Sequence, residues 1–111
     1  MSENANAAKI RTLNDAFRKT GSGGRIMLTQ GIQAMGEKAI RDILVKIAAF
    51  DEFTEDNDPW HEHDYREIIH NSQKVLFKLD YYDRAMEYGS PDPSDPTVTT
   101  RVMTVMLVEE Y

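Results

Sequence analysis

Residues 65–82 read YREIIHNSQKVLFKLDYY, and this run decides the fold. Tyr65 to His70 predicts one strand, Asn71-Ser72 a tight hairpin turn, and Lys74 to Tyr81 a second strand. Val75, Phe77, Leu79 and Tyr81 share one face of that strand, and Leu76, Lys78 and Asp80 share the other. Such alternation predicts a half-buried strand of an antiparallel sheet.

The flanking segments supply the partners of this hairpin. Upstream, Ala39, Ile40, Ile43, Leu44 and Ile47 form an amphipathic stripe, which predicts a helix from Gly36 to about Phe50. Lys38, Asp42 and Lys46 alternate in sign on its opposite face. An earlier helix is expected from Ala7 to about Thr20, with Ile10, Leu13 and Phe17 at helical spacing and Ala16 beside them. Arg18 and Lys19 there complement the helix dipole. Gly21-Ser22-Gly23-Gly24 stops it, and Arg25 to Thr29 reads as a short strand. The segment from Gln30 to Met35 reads as a turn. Downstream, a polar loop at 83–97 with three prolines leads to a last strand, Thr99 to Val108, which is apolar enough on both faces to lie centrally. The expected fold is α+β: a mostly antiparallel four-stranded sheet with two helices on one face, in the order α-β-α-β-β-β. Residues 1–6 are expected to be disordered and 7–111 to form one domain. A chain of 111 residues with 41% hydrophobic content suits a single core.

Charge is unevenly placed. The net charge is −6, yet residues 51–64 (DEFTEDNDPWHEHD) alone carry seven carboxylates and no Lys or Arg. Residues 1–50 carry +4 and residues 51–111 carry −10. Such asymmetry favours a basic partner or a homodimer in which the two halves meet, and disfavours direct binding to a nucleic-acid backbone. There are no cysteines, so disulfides and thiolate chemistry are excluded. No apolar run reaches the roughly 20 residues of a membrane span. The polar N-terminus predicts no secretory signal, and a cytoplasmic location is expected.

Several blocks carry a resemblance: IRTLNDAFRKTGSGGRIMLTQGI, AFDEFTEDNDP with EHD after it, KLDYYD, EYGSPDPSDP and TTRVMTVMLVEEY. Together they resemble a small bacterial family, domain of unknown function 3768, over about Ile10 to Tyr111. The resemblance implies a single intact domain and an occurrence in bacterial chromosomes and mobile plasmids. It implies no activity, substrate or cofactor.

Four constellations could carry chemistry. His61 and His63 would point to one face of an extended segment and, with Asp58 or Asp64, could hold a divalent metal. The pattern H-x-H-x-D-H fails, since Tyr65 and Arg66 stand where Asp and His are needed. The plainer reading is a solvated loop. The carboxylates of 51–64 could bind calcium, but the EF-hand pattern fails at Trp60 and His61. Thr54 suits an N-cap or ST-turn, and Asn57-Asp58-Pro59 is turn chemistry. The glycine-rich 21–24 follows a helix, the reverse of the order a phosphate cradle needs. Asp80, Tyr82, Asp83 and Arg101 form a possible polar cluster if Asp80 and Arg101 share a sheet face. No Ser/His/Asp or Cys/His nucleophilic set stands out.

The expected function is therefore a non-enzymatic interaction or regulatory protein, and the resemblance implies that it is accessory to mobile elements. Asp51, Glu52, Glu55, Asp56 and Glu62 would dock a basic protein surface or mimic nucleic-acid charge. The alternative is a metal-binding module or metal-dependent hydrolase built on Asp58, His61, His63 and Asp64.

Overall fold

The computed structural model describes residues 5–111. Asn71 and Ser72 both take positive φ, 48° and 67°, as a two-residue type I′ hairpin requires. They join β2 (Tyr65–His70) to β3 (Gln73–Tyr82), and β3 pairs in turn with β4 (Thr100–Leu107). Before them come α1 (Ala5–Thr20), β1 (Arg25–Leu28), α2 (Gln30–Gln33) and α3 (Glu37–Ala49), and a 3-10 turn, Val108–Glu110, follows. Of the segment 1–6 expected to be disordered, residues 1–4 lie outside the described residues, and Ala5 and Asn6 open α1.

The class is α+β, but the sheet is mixed rather than mostly antiparallel. Its order is β1-β4-β3-β2, and β1 lies parallel to β4. The returning β4 runs antiparallel to β3 and slots between it and β1, so its direction matches that of β1. Periodicity marks strands but not the direction in which distant strands meet. Among the described residues there are also three α-helices rather than two. The segment read as a turn makes one helical turn, and its Ile32 is completely buried.

The helices cover one face of the sheet. Phe17 of α1, Ile32 of α2 and Ile43 and Ile47 of α3 pack against Ile68, Val75, Phe77, Leu79, Met103, Val105 and Leu107. The register explains that list: Val75 opposes Leu107, Phe77 opposes Val105 and Leu79 opposes Met103. Each fully buried side chain of this size stabilises by about 1.5–3 kcal/mol. One step further along the same face, Tyr81 opposes Arg101, so the core ends in a polar pair.

Gly21, at φ 75°, closes α1 by donating its N–H to the Phe17 carbonyl at 2.7 Å, as the glycine-rich stop predicts. Gly24 has a different reason to be glycine. A Cβ there would lie 2.5 Å from the Arg101 carbonyl oxygen and 2.7 Å from the Phe17 ring. Gly24→Ala should therefore lower unfolding free energy by about 1–3 kcal/mol. Gly31→Ala should cost less, because its Cβ would meet only the movable ends of Glu110 and Leu107. Urea denaturation of both variants checks this, and equal losses would contradict it.

Candidate functional site

The buried stripe of α1 consists of Ala7, Ile10, Asn14, Phe17 and Arg18. Two polar residues thus occupy core positions, and each must be satisfied there. Asn14 is fully buried. Its amide donates to the Glu62 carbonyl and to the Tyr81 hydroxyl, each at 2.9 Å. Its side-chain oxygen accepts from Arg101 Nε at 2.6 Å. Both amide hydrogens and the carbonyl are therefore in use. Tyr81 in turn donates its hydroxyl hydrogen bond to the Glu62 carboxylate at 2.8 Å. Burial holds that phenol well above its usual range, and the neighbouring Glu62 charge adds to the effect. Arg101 also donates to the Pro93 carbonyl and lies 5.2 Å over the Tyr81 ring. Through Asn14 the helix is joined to the acidic loop, and through Arg101 to the 83–97 loop.

Arg18 does not serve its own helix end. Its NH1 reaches across to the carbonyls of Ile47 and Phe50, at 2.6 and 2.8 Å, and so caps α3. Its NH2 holds Asp15 at 3.0 Å. Asp15 then meets His63, whose Nδ1 lies 2.9 Å from the carboxylate. The other ring nitrogen of His63 lies 3.6 Å from Asp58, and the ring stacks on Phe53 at 3.8 Å between centroids. Asp58 is 5% exposed, and its carboxylate accepts the His63 backbone N–H at 3.2 Å.

These contacts correct the expected metal geometry. His61 and His63 sit in left-handed backbone, at φ 60° and 55°, so the segment is not extended and the same-face spacing of an extended strand does not apply. Asp58 binds the turn, His63 turns to Asp15, and the His61 carbonyl accepts from Arg11 at 3.2 Å. Among the described residues no group of three or more His, Asp or Glu is placed to hold a metal ion. The Thr54 turn forms as expected: Thr54 Oγ1 accepts the Asn57 N–H, and Asn57 Oδ1 accepts the Thr54 N–H.

The expected cluster of Asp80, Tyr82, Asp83 and Arg101 does not assemble. Arg101 opposes Tyr81 and Asp80 opposes Val102, so the carboxylate and guanidinium lie on opposite faces. Asp80 pairs instead with Lys78 at 2.6 Å. Tyr82 bridges to Gly89, and Asp83 accepts the Glu87 N–H at 3.0 Å to close a turn.

Of the expected docking residues, Asp51, Glu52, Glu55 and Asp56 are exposed, whereas Glu62 is drawn inward to Tyr81. Trp60, at 75% exposure, stands beside them. Sequence reasoning gave no site role to Trp60 or to the α1 residues Asn14 and Asp15, and it gave Arg18 only a part in the dipole of its own helix. The signal for the α1 residues was present, since Asn14 and Arg18 continue the spacing of Ala7, Ile10 and Phe17.

The model of a family described as Protein of unknown function (DUF3768) matches residues 28–110. No curated protein and no solved structure matches the chain. No helix among the described residues is long and apolar enough to cross a membrane.

Asp64 supplies a test of the site's electrostatics. Burial raises its carboxyl above the ordinary range, with the Glu62 charge adding to the shift. A carboxyl whose pKa is raised by folding costs nothing while protonated in both states and costs stability once pH exceeds its unfolded value. Asp64→Asn should therefore stabilise the protein at neutral pH, and the gain should vanish as pH falls below 3.8. Denaturation across that range checks it, and a gain independent of pH would contradict it.

Proposed function

The chain belongs to the family described as Protein of unknown function (DUF3768), a description that supplies no activity, and from its own residues we propose a non-enzymatic interaction protein. Its segment 51–60 docks a basic protein surface. The observation that carries this reading is the 75% exposure of Trp60 next to exposed Asp51, Glu52, Glu55 and Asp56. A tryptophan on the surface leaves a large apolar area in water, and such side chains recur as the anchors of interfaces. The surrounding carboxylates steer a basic partner and fix its orientation more than they add affinity.

The loop beneath is held rather than free. Asn14, Asp15 and Arg11 of α1 fasten it from one side, and the Thr54–Asn57 turn stiffens it internally. Little ordering entropy is then left to lose on binding. The three-residue set Asp15, His63 and Asp58 spends its polar atoms on one another. Five surface cavities of about 250–480 Å³ are lined by none of the three. Both facts favour a structural role for that set over a catalytic one.

Pull-down from bacterial lysate tests the proposal. A chain with Asp51, Glu52, Glu55 and Asp56 changed to Lys should lose the proteins recovered by wild type, and Trp60→Ala should weaken their capture by about tenfold or more. Recovery of the same proteins by all three chains would contradict it.

A further inference from the structure

The sheet has a bare edge in the acidic region. β2 is the terminal strand of the order β1-β4-β3-β2, and no described strand pairs with its outer side. The hairpin fixes which backbone groups face outward. A two-residue turn closes on a hydrogen-bonded pair, here His70 with Gln73, and antiparallel ladders alternate such pairs with open ones. Ile68 and Arg66 therefore bond to β3, while Tyr65, Glu67 and Ile69 turn their N–H and C=O groups outward. Two contacts agree with this phase. Asp64 accepts the Leu79 N–H at 2.8 Å, and the Ile69 carbonyl accepts from Lys46 Nζ at 3.1 Å. Among the described residues that ammonium is the group that reaches the outward row.

A groove of about 480 Å³ runs beside the edge, between β2 and the end of α3. Its lining includes the apolar residues Ala49, Phe50, Ile68 and Ile69, with Asp51, Glu52 and Glu67 as carboxylates and Lys46 as the one cation. Ile69 is 64% exposed. Lys46 is already engaged, by the Ile69 carbonyl and by His70 Nδ1 at 3.2 Å. The groove thus offers a row of backbone groups that no described strand pairs, an apolar lining and a surplus of negative charge. Unpaired edges are templates for strand addition unless something covers them.

We propose that the outer edge of β2 receives an extended, lysine- or arginine-bearing segment of the partner as a fifth strand. Its backbone pairs with Tyr65, Glu67 and Ile69, and its cations meet Asp51, Glu52 and Glu67. The occupant is a basic segment rather than a second copy of this chain, because a copy would bring the same three carboxylates to the same groove. This inference rests on the docking reading above and adds to it the partner's conformation and the edge it uses.

The test uses the full chain and two capped peptides, one alternating Lys and Val and one alternating Glu and Val. Residue-resolved amide exchange should show the Lys/Val peptide slowing Tyr65, Glu67 and Ile69 and leaving Arg66, Ile68 and His70 unchanged. The Glu/Val peptide should do nothing. Ile69→Pro removes an outward donor without breaking the ladder to β3 and should weaken binding by about tenfold or more. Asp51→Lys with Glu52→Lys should weaken it likewise, a readout that stands if the proline variant fails to fold. Binding that leaves the three outward amides unprotected in wild type overturns the edge and leaves the acidic segment as the docking surface. No binding of the Lys/Val peptide by wild type overturns both. Slowed exchange of the same amides without peptide, together with dimers in sedimentation, also overturns the proposal.

Discussion

A carboxamide buried at the end of the helix-covered sheet face has three hydrogen bonds to satisfy, and its partners come from the rest of the chain. Asn14 draws on the acidic loop at Glu62, on β3 at Tyr81 and on β4 at Arg101. Leaving any of these groups unpaired inside the protein costs about 1–3 kcal/mol. The helix can therefore dock in one rotation and at one height, and the loop must pass where its Glu62 carbonyl meets α1. Apolar packing of Phe17, Ile43 and Ile47 supplies the bulk of the driving force, but it would tolerate sliding that the amide does not.

From that constraint the acidic segment acquires an inside and an outside. Asp58, Glu62 and His63 face α1 and the sheet, where each has a named partner. Asp51, Glu52, Glu55, Asp56 and Trp60 are left to solvent. Sequence alone presents these residues as one run of charge. The fold divides them into carboxylates that hold the loop and carboxylates that face solvent. Asp58 also accounts for the unusual backbone nearby, because its carboxylate takes the N–H of the left-handed His63.

How much of this was legible follows from which physical rule governs each element. The hairpin and α3 obey local rules, alternation and a helical stripe, and both were read correctly. The parallel pairing of β1 with β4 depends on where the chain returns after 71 intervening residues, and no local pattern carries that. Asp80 and Arg101 were matched by strand alternation without knowledge of register, and the true register sets Arg101 against Tyr81. Asn14 escapes a count of the α1 stripe in apolar residues only, and the same count leaves Arg18 as a charge at the helix end rather than a buried side chain. Polar residues at buried helical spacing are a readable signal, since a core position must bond whatever polar group it holds.

A preorganised docking surface requires that the acidic loop be fixed by its contacts with α1. Backbone ¹⁵N relaxation across residues 51–63 measures this directly. Fixation predicts order parameters near those of the strands, about 0.85, including at Trp60. Values below about 0.6 through that segment would contradict it, because a loop that mobile is not held by Asn14, Asp15 and Asp58.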